Sequence, residues 1–263
     1  MSTDGDHVVF HNRELAGSRL RCLIATSLSD VAMRQVLNDI VQPYAVVNQE
    51  HDWMPRGFIQ SDEAMLGVTE KFLQPAKRQM LLEWWLSVLR NPRTPNWDLV
   101  ATCSIEGQDG LILVEAKAHE AELKRDDKCG ATSEKNLIKI AGAIREANEG
   151  LSGSMPGWQL SHHSHYQLAN RFAWAWKLAA TGIPVVLVYL GFLNAEEMGR
   201  RGPVFRKHTD WDQCVRRYAA GVVPVEAWGA ELKTRGGASV RALIRSAEVR
   251  CIVSNPGRED EIG

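Results

Sequence analysis

The run IPVVLVYLGFL, from Ile183 to Leu193, is almost continuously apolar. It has the length of a strand and lacks the alternation of a strand with one wet face, so both of its faces must be covered. A strand of that kind lies in the interior of a sheet with a layer on each side, which confines the chain to α/β architectures. The run is too short to cross a membrane, and Pro184, Tyr189 and Gly191 interrupt it.

The rest of the chain supplies the layers. Leu28 to Val41 has helical spacing at Val31, Val36, Leu37, Ile40 and Val41, with Ser29 or Asp30 as N-cap and Pro43 as a stop. Ser61 to Arg90 reads as helical, divided near Gly67 or Pro75, and its second half opens on a proline suited to a first helical turn. Ser133 to Asn148 reads as an amphipathic helix with Leu137, Ile140, Ala141 and Ile144 inward. The segment SHHSHYQLANRFAWAWKLAATG reads as a long helix closed by Gly182. Helices are expected at Trp211–Ala220 and Ser239–Ala247, and a short strand at Val249–Val253. With 263 residues and no repeat or low-complexity linker, the expectation is one α/β domain over residues 19–263, a mixed central sheet flanked by helices, preceded by a peripheral arm over 1–18.

Between the helices lies the hairpin NWDLVATCSIEGQDGLILVEAKAH, Asn96 to His119. Its turn is EGQDG, and folding about Gln108 and Asp109 brings Asp98 opposite residues near 117. Alternation puts Glu115 and Lys117 on one face and Ala116 on the other. Asp98, Glu115 and Lys117 then converge at one end of the pair. Two carboxylates side by side raise each other's pKa, and a divalent cation removes the conflict. Magnesium takes one or two carboxylates together with water and phosphate oxygens. A lysine beside it can hold the attacking water and offset developing charge.

An Asp on one strand and Glu-Ala-Lys on the next resembles the PD-(D/E)XK nuclease superfamily, over roughly Leu81 to Leu193 in the order helix, hairpin, helix, strand. The residue before Asp98 is Trp97 rather than proline. The resemblance implies a restriction-endonuclease-like fold and Mg²⁺-dependent hydrolysis of phosphodiester bonds, with Mn²⁺ a substitute for Mg²⁺. It implies Asp98, Glu115 and the Ala116 carbonyl as metal ligands and Lys117 as the residue positioning water. DNA is the implied substrate and RNA the alternative, and cutting two strands calls for a homodimer. The same fold without the chemistry, as a nucleic-acid-binding or structural protein, is one rival, and a metallohydrolase of small molecules is another.

Several other residues are open to two readings. Glu83, in LLEWWL, is an added metal ligand by the resemblance or an exposed helix charge. Gln167 supports the site by the resemblance or packs within its helix, and Arg171, one turn on, offers a phosphate or carboxylate partner. His162, His163 and His165 lack a partner spaced to complete a zinc site, so they read as exposed polar residues or phosphate neighbours. The segment GRRGPVFRKHTDWDQCVRR holds Arg200, Arg201, Arg206 and Lys207, which either track a phosphate backbone or cover a solvated loop. A net charge of -1 limits any nucleic-acid surface to such a local patch. The five cysteines are scattered and the start of the chain is polar, so the expected setting is a reducing cytoplasm with no membrane contact.

Overall fold

The computed structural model describes residues 16–124 and 127–249. Its elements are α1 (Gly17–Thr26), α2 (Asp30–Val41), β1 (Trp53–Met54), β2 (Ala64–Met65), α3 (Pro75–Trp85), β3 (Asn96–Trp97), β4 (Leu99–Ile105), β5 (Gln108–Lys117), α4 (Glu134–Ser152), α5 (Tyr166–Ala180), β6 (Val185–Leu193), α6 (His208–Ala219), β7 (Glu231–Lys233) and β8 (Ser239–Glu248). Six strands form one mixed sheet in the order β1-β4-β5-β6-β8-β7, and β2 and β3 form a separate ribbon. β5, β6 and β8 run parallel, so their C-terminal ends meet at one edge. The apolar run of β6 is interior, with β5 on one side and β8 on the other, and all of its residues but Leu193 are buried.

Two apolar layers cover the sheet. One face, with Leu111, Leu113, Leu187 and Tyr189, packs against Leu81, Ile144, Phe172 and Trp211 of α3, α4, α5 and α6. The other, with Ile112, Val114, Ala116 and Val188, packs against Cys22 of α1 and Met33, Leu37 and Ile40 of α2. The alternation along β5 divides these sets: odd residues face α5 and even residues face α2. No helix among the described residues is long and apolar enough to cross a membrane.

Several elements differ from the sequence reading. Ser239–Glu248 is a strand, not a helix, because β6 presents a parallel edge that takes it from Val185↔Val240 to Leu193↔Glu248. Propensity in SVRALIRSAE yields there to strand pairing. The region 61–90 holds one helix, Pro75–Trp85, while Ala64–Met65 pairs with β3. α1 was not foreseen and includes Gly17 and Ser18, so that part of the expected arm is packed helix; residues 1–15 lie outside the described residues. In α2, Val31 faces solvent and Met33 takes its place inward. The hairpin turns at Glu106 and Gly107, both at positive φ (51° and 80°), two residues earlier than expected. The strand expected at Val249–Val253 lies, beyond Val249, outside the described residues.

Packing is close where α6 crosses β6. A Cβ on Gly191 would run into the indole of Trp211, whose Nε1 donates to the Tyr189 carbonyl (3.0 Å). Gly142 on α4 has only the Arg145 guanidinium within 4.0 Å. Gly191→Ala is therefore expected to destabilise the protein by about 1–3 kcal/mol through overpacking. Gly142→Ala is expected to stabilise it by up to ~1 kcal/mol through helix propensity. Urea unfolding of the two variants beside the native chain checks both signs.

Candidate active site

Asp98 stands at the bend between β3 and β4, one residue before the Leu99↔Val114 pair. Its Oδ2 accepts a hydrogen bond from the Ala116 N–H (2.7 Å). A strand residue turns its N–H and C=O to the same side, so the Ala116 carbonyl also faces the Asp98 side of β5. The Ala116 side chain is buried on the opposite face against the α2 layer. Glu115 and Lys117 share the α5 face, and the Lys117 ammonium is ion-paired with Glu115 Oε1.

Arg171 of α5 completes the cluster. Its Nε donates to Glu115 Oε2 (2.5 Å), its Nη1 to Asn170 Oδ1 (2.9 Å) and its Nη2 to the Asn96 carbonyl (2.6 Å). The guanidinium also lies 4.5 Å from the centre of the Trp97 ring. Glu115 is only 1% exposed, Lys117 6% and Arg171 5%, so this is a buried group in which two carboxylates meet two cations. Asp98 is partly buried and gives the group its contact with solvent.

The electrostatics follow from that arrangement. Burial alone would push Glu115 up, but Arg171 and Lys117 outweigh it and hold its carboxyl below the usual range. Burial would pull Lys117 down, but Glu115 and Asp98 hold its ammonium above the usual lysine value. Among the described residues Asp98 has no direct ion pair. Burial, reinforced by the negative charge of Glu115, pushes it up to about 7.

The donor set suits a hard divalent cation in kind: two carboxylates and a carbonyl. Among the described residues no group of three or more His, Cys, Asp or Glu side chains could hold a metal, so the carbonyl and water would complete the shell. One feature resists entry: each Glu115 oxygen already has a cationic partner.

A cleft of about 710 Å³ opens beside the cluster, lined by Arg93, Asn96, Lys124, Asp127, Gln167 and Arg171. Asn96 and Arg171 belong to both cleft and cluster. A larger hollow of about 810 Å³ lies at the other end of the hairpin, beside Asp109 and Gly110. Of its cations, Lys71 and Arg78 are ion-paired with Asp52 and Glu70, and Lys77 donates to the Thr181 carbonyl (2.6 Å).

The structure thus brings together Asp98, Glu115, Ala116, Lys117 and Arg171. Gln167 lines the cleft without touching the cluster, and its backbone N–H is held by Asp127 (2.8 Å). Glu83 is not in the site. It is exposed on α3 and accepts from Gln79 Nε2 (2.6 Å), because α3 turns Leu81, Leu82 and Trp85 inward instead. Arg200, Arg201, Arg206 and Lys207 lie on the loop that follows β6, and Arg206 is ion-paired with Glu196. His162 and His163 lie ring to ring (3.7 Å), while His165 ends the loop before α5 and packs on Tyr218.

Sequence reasoning missed the supports. Asp127, within a charge-mixed loop, receives both the Tyr166 and Gln167 N–H groups (2.8 Å each) and so caps α5, the helix that carries Arg171. Glu122 accepts from the Ala118 N–H (2.5 Å) and fixes the end of β5. Arg21, buried in α1, is ion-paired with Glu197 beyond β6. The only local signal for these was an acidic residue just after a strand or ahead of a helix start. No family model, curated protein or solved structure matches the chain.

The opposed shifts of the carboxylates set a pH signature. Asp98 binds its proton more tightly folded than unfolded, so its contribution to stability is present below the ordinary 3.8 and is lost as pH rises through about 7. Glu115 has the opposite sign: its contribution is present above its unfolded value and lost as pH falls through its lowered folded value. In chelator, the melting temperature is therefore expected to fall by a few degrees between pH 5 and pH 8. Asp98→Asn keeps an acceptor for the Ala116 N–H and removes the charge, so that fall should vanish. A melt series over that range checks it, and an Asp98→Asn profile parallel to the native one contradicts the assignment.

Proposed function

We propose that the protein is a divalent-metal-dependent phosphodiester hydrolase of the PD-(D/E)XK kind, with a restriction-endonuclease-like core and with DNA as the substrate. The observation that carries this reading is the convergence of Asp98, Glu115 and Lys117 where β3–β4 and β5 meet, beside an open polar cleft. Ligand sites of parallel sheets collect at the C-terminal ends of the strands, and Glu115 and Lys117 close β5 at that end.

In this reading Asp98, Glu115 and the Ala116 carbonyl hold Mg²⁺, which supplies Lewis acidity and an acidified water when bound. Lys117, fixed against Glu115, orients the attacking oxygen and stabilises charge developing on the phosphate. The cleft, lined in part by Arg93 and Lys124, admits the sugar–phosphate chain. The loop with Arg200, Arg201 and Lys207 leaves β6 at the same edge and provides a track for neighbouring phosphates. A non-catalytic member of the same fold is the second reading, and the saturation of Glu115 by Lys117 and Arg171 favours it.

Cleavage of plasmid, short linear DNA and RNA in Mg²⁺ separates the two. Native protein is expected to cut, while Lys117→Ala, less stable but checked as folded by circular dichroism, retains Mn²⁺ binding yet cuts at least ~100-fold more slowly. Equal cutting by Lys117→Ala would remove the lysine from the mechanism, and binding without cutting by the native chain would favour the second reading. For the basic loop, replacing Arg200, Arg201 and Lys207 by Ala is expected to reduce the salt slope of DNA binding by about 0.9 for each phosphate no longer neutralised. Arg206, held by Glu196, is expected to contribute less. A fluorescence-anisotropy salt titration reads the slopes.

A further inference from the structure

With both carboxylates ionised, the charges of the cluster already balance. Asp98 and Glu115 face Lys117 and Arg171, two negative groups against two positive, and Glu115 has one cation on each oxygen. A divalent cation arriving between Asp98 and Glu115 would add two positive charges to a neutral buried group. At an effective dielectric near 20, a dication a few ångströms from a guanidinium is opposed strongly. Moving one of the cations bonded to Glu115 relieves that opposition.

Geometry distinguishes the two. Lys117 extends from the same strand as Glu115 and is buried against it. Arg171 lines the 710 Å³ cleft, and only its Nε is used on Glu115. Its two other nitrogens are held by Asn170 and by the Asn96 carbonyl at the cleft wall. A rotation about its own side chain would carry the guanidinium from Glu115 into the cleft, where water or a phosphate can accept the bonds it gives up.

We propose that Arg171 is a latch on Glu115: in the metal-free chain it occupies the carboxylate oxygen that a divalent cation needs, and the cation binds only as this pair opens and the guanidinium turns into the cleft. The proposal rests on the reading of Asp98 and Glu115 as metal ligands. It makes Arg171 a positioning residue that opposes metal binding, whereas a residue that merely supports the site would favour it.

The test is Mn²⁺ calorimetry on the full chain, with native protein, Glu115→Gln, Arg171→Met and Asn170→Ala. Arg171→Met is expected to bind Mn²⁺ at least ~10-fold more tightly than native, since a competing charge has gone. Asn170→Ala, which keeps the guanidinium and loosens one of its anchors, is expected to shift affinity in the same direction by less, and it carries the test if Arg171→Met does not fold. Thermal melting gives a second readout. In chelator Arg171→Met should melt below native, because buried Glu115 loses a partner, and Mn²⁺ should raise its melting temperature more than it raises that of native protein. If native protein binds Mn²⁺, Glu115→Gln does not, and Arg171→Met binds no more tightly than native, the metal site stands and the latch falls. If no variant binds Mn²⁺, the metal site and the latch fall together.

Discussion

A carboxylate buried to the extent of Glu115 is tolerated only with partners, and its two partners tie the fold together. Lys117 comes from the same strand and imposes only a local geometry. Arg171 comes from α5, 56 residues away in sequence, and reaches Glu115 with one nitrogen and the Asn96 carbonyl with another. One side chain therefore joins α5 to the central strand and to the β2–β3 ribbon. Removing one partner of such a buried pair costs about 3–5 kcal/mol, as much as a large-to-small substitution in a core.

The sheet decides where that cluster can meet solvent. Parallel pairing of β5, β6 and β8 sends the connections after β5 and β6 out at one edge. The segment after β5 is fixed by Glu122 on the Ala118 N–H, and the segment after β6 is fixed by the Arg21–Glu197 pair. α1 reaches both, because Ser18 donates to Glu122 Oε1 (3.4 Å) while Arg21 holds Glu197. The edge that carries Glu115 and Lys117 is thus braced by a helix from the opposite face of the sheet. Rigid support of this kind suits a site that must hold oxygen ligands in a fixed geometry.

The sequence disclosed the centre of the fold better than its rim. β6 was legible because an unbroken apolar run of strand length has one physical use. Glu115, Ala116 and Lys117 were legible because alternation fixes the face of each residue once the strand is known. β8 was not, because SVRALIRSAE has no strict period and takes its state from the edge of β6. Glu83 stayed open between two readings because apolar neighbours on a helix do not say which way the residue between them turns. Arg171 was visible as a candidate partner, one turn from Gln167. That it would close on Glu115 depends on the packing of α5 over β5, which no local pattern encodes. Asp127 was hidden for the same reason: its role as the cap of α5 exists only once the loop is folded.

The two readings of the site differ in one exchange rather than in the residues present. The half-buried Asp98 and the buried Glu115, Lys117 and Arg171 form a structural device in their own right, and in the metal-binding reading the same group is a metal site whose positive charge is supplied from within. A carboxylate pair left without compensation would stand as two buried like charges, a standing cost to the fold. Holding an arginine on Glu115 removes that penalty while Asp98, raised by burial and by Glu115, carries the remaining mismatch. In the metal-binding reading, metal affinity would be the intrinsic affinity of the oxygen set less the cost of moving Arg171, and that cost would be lowered by whatever accepts the guanidinium in the cleft. A phosphate there would both take the arginine and provide oxygen for the cation, so metal and substrate would favour each other's binding through one side chain.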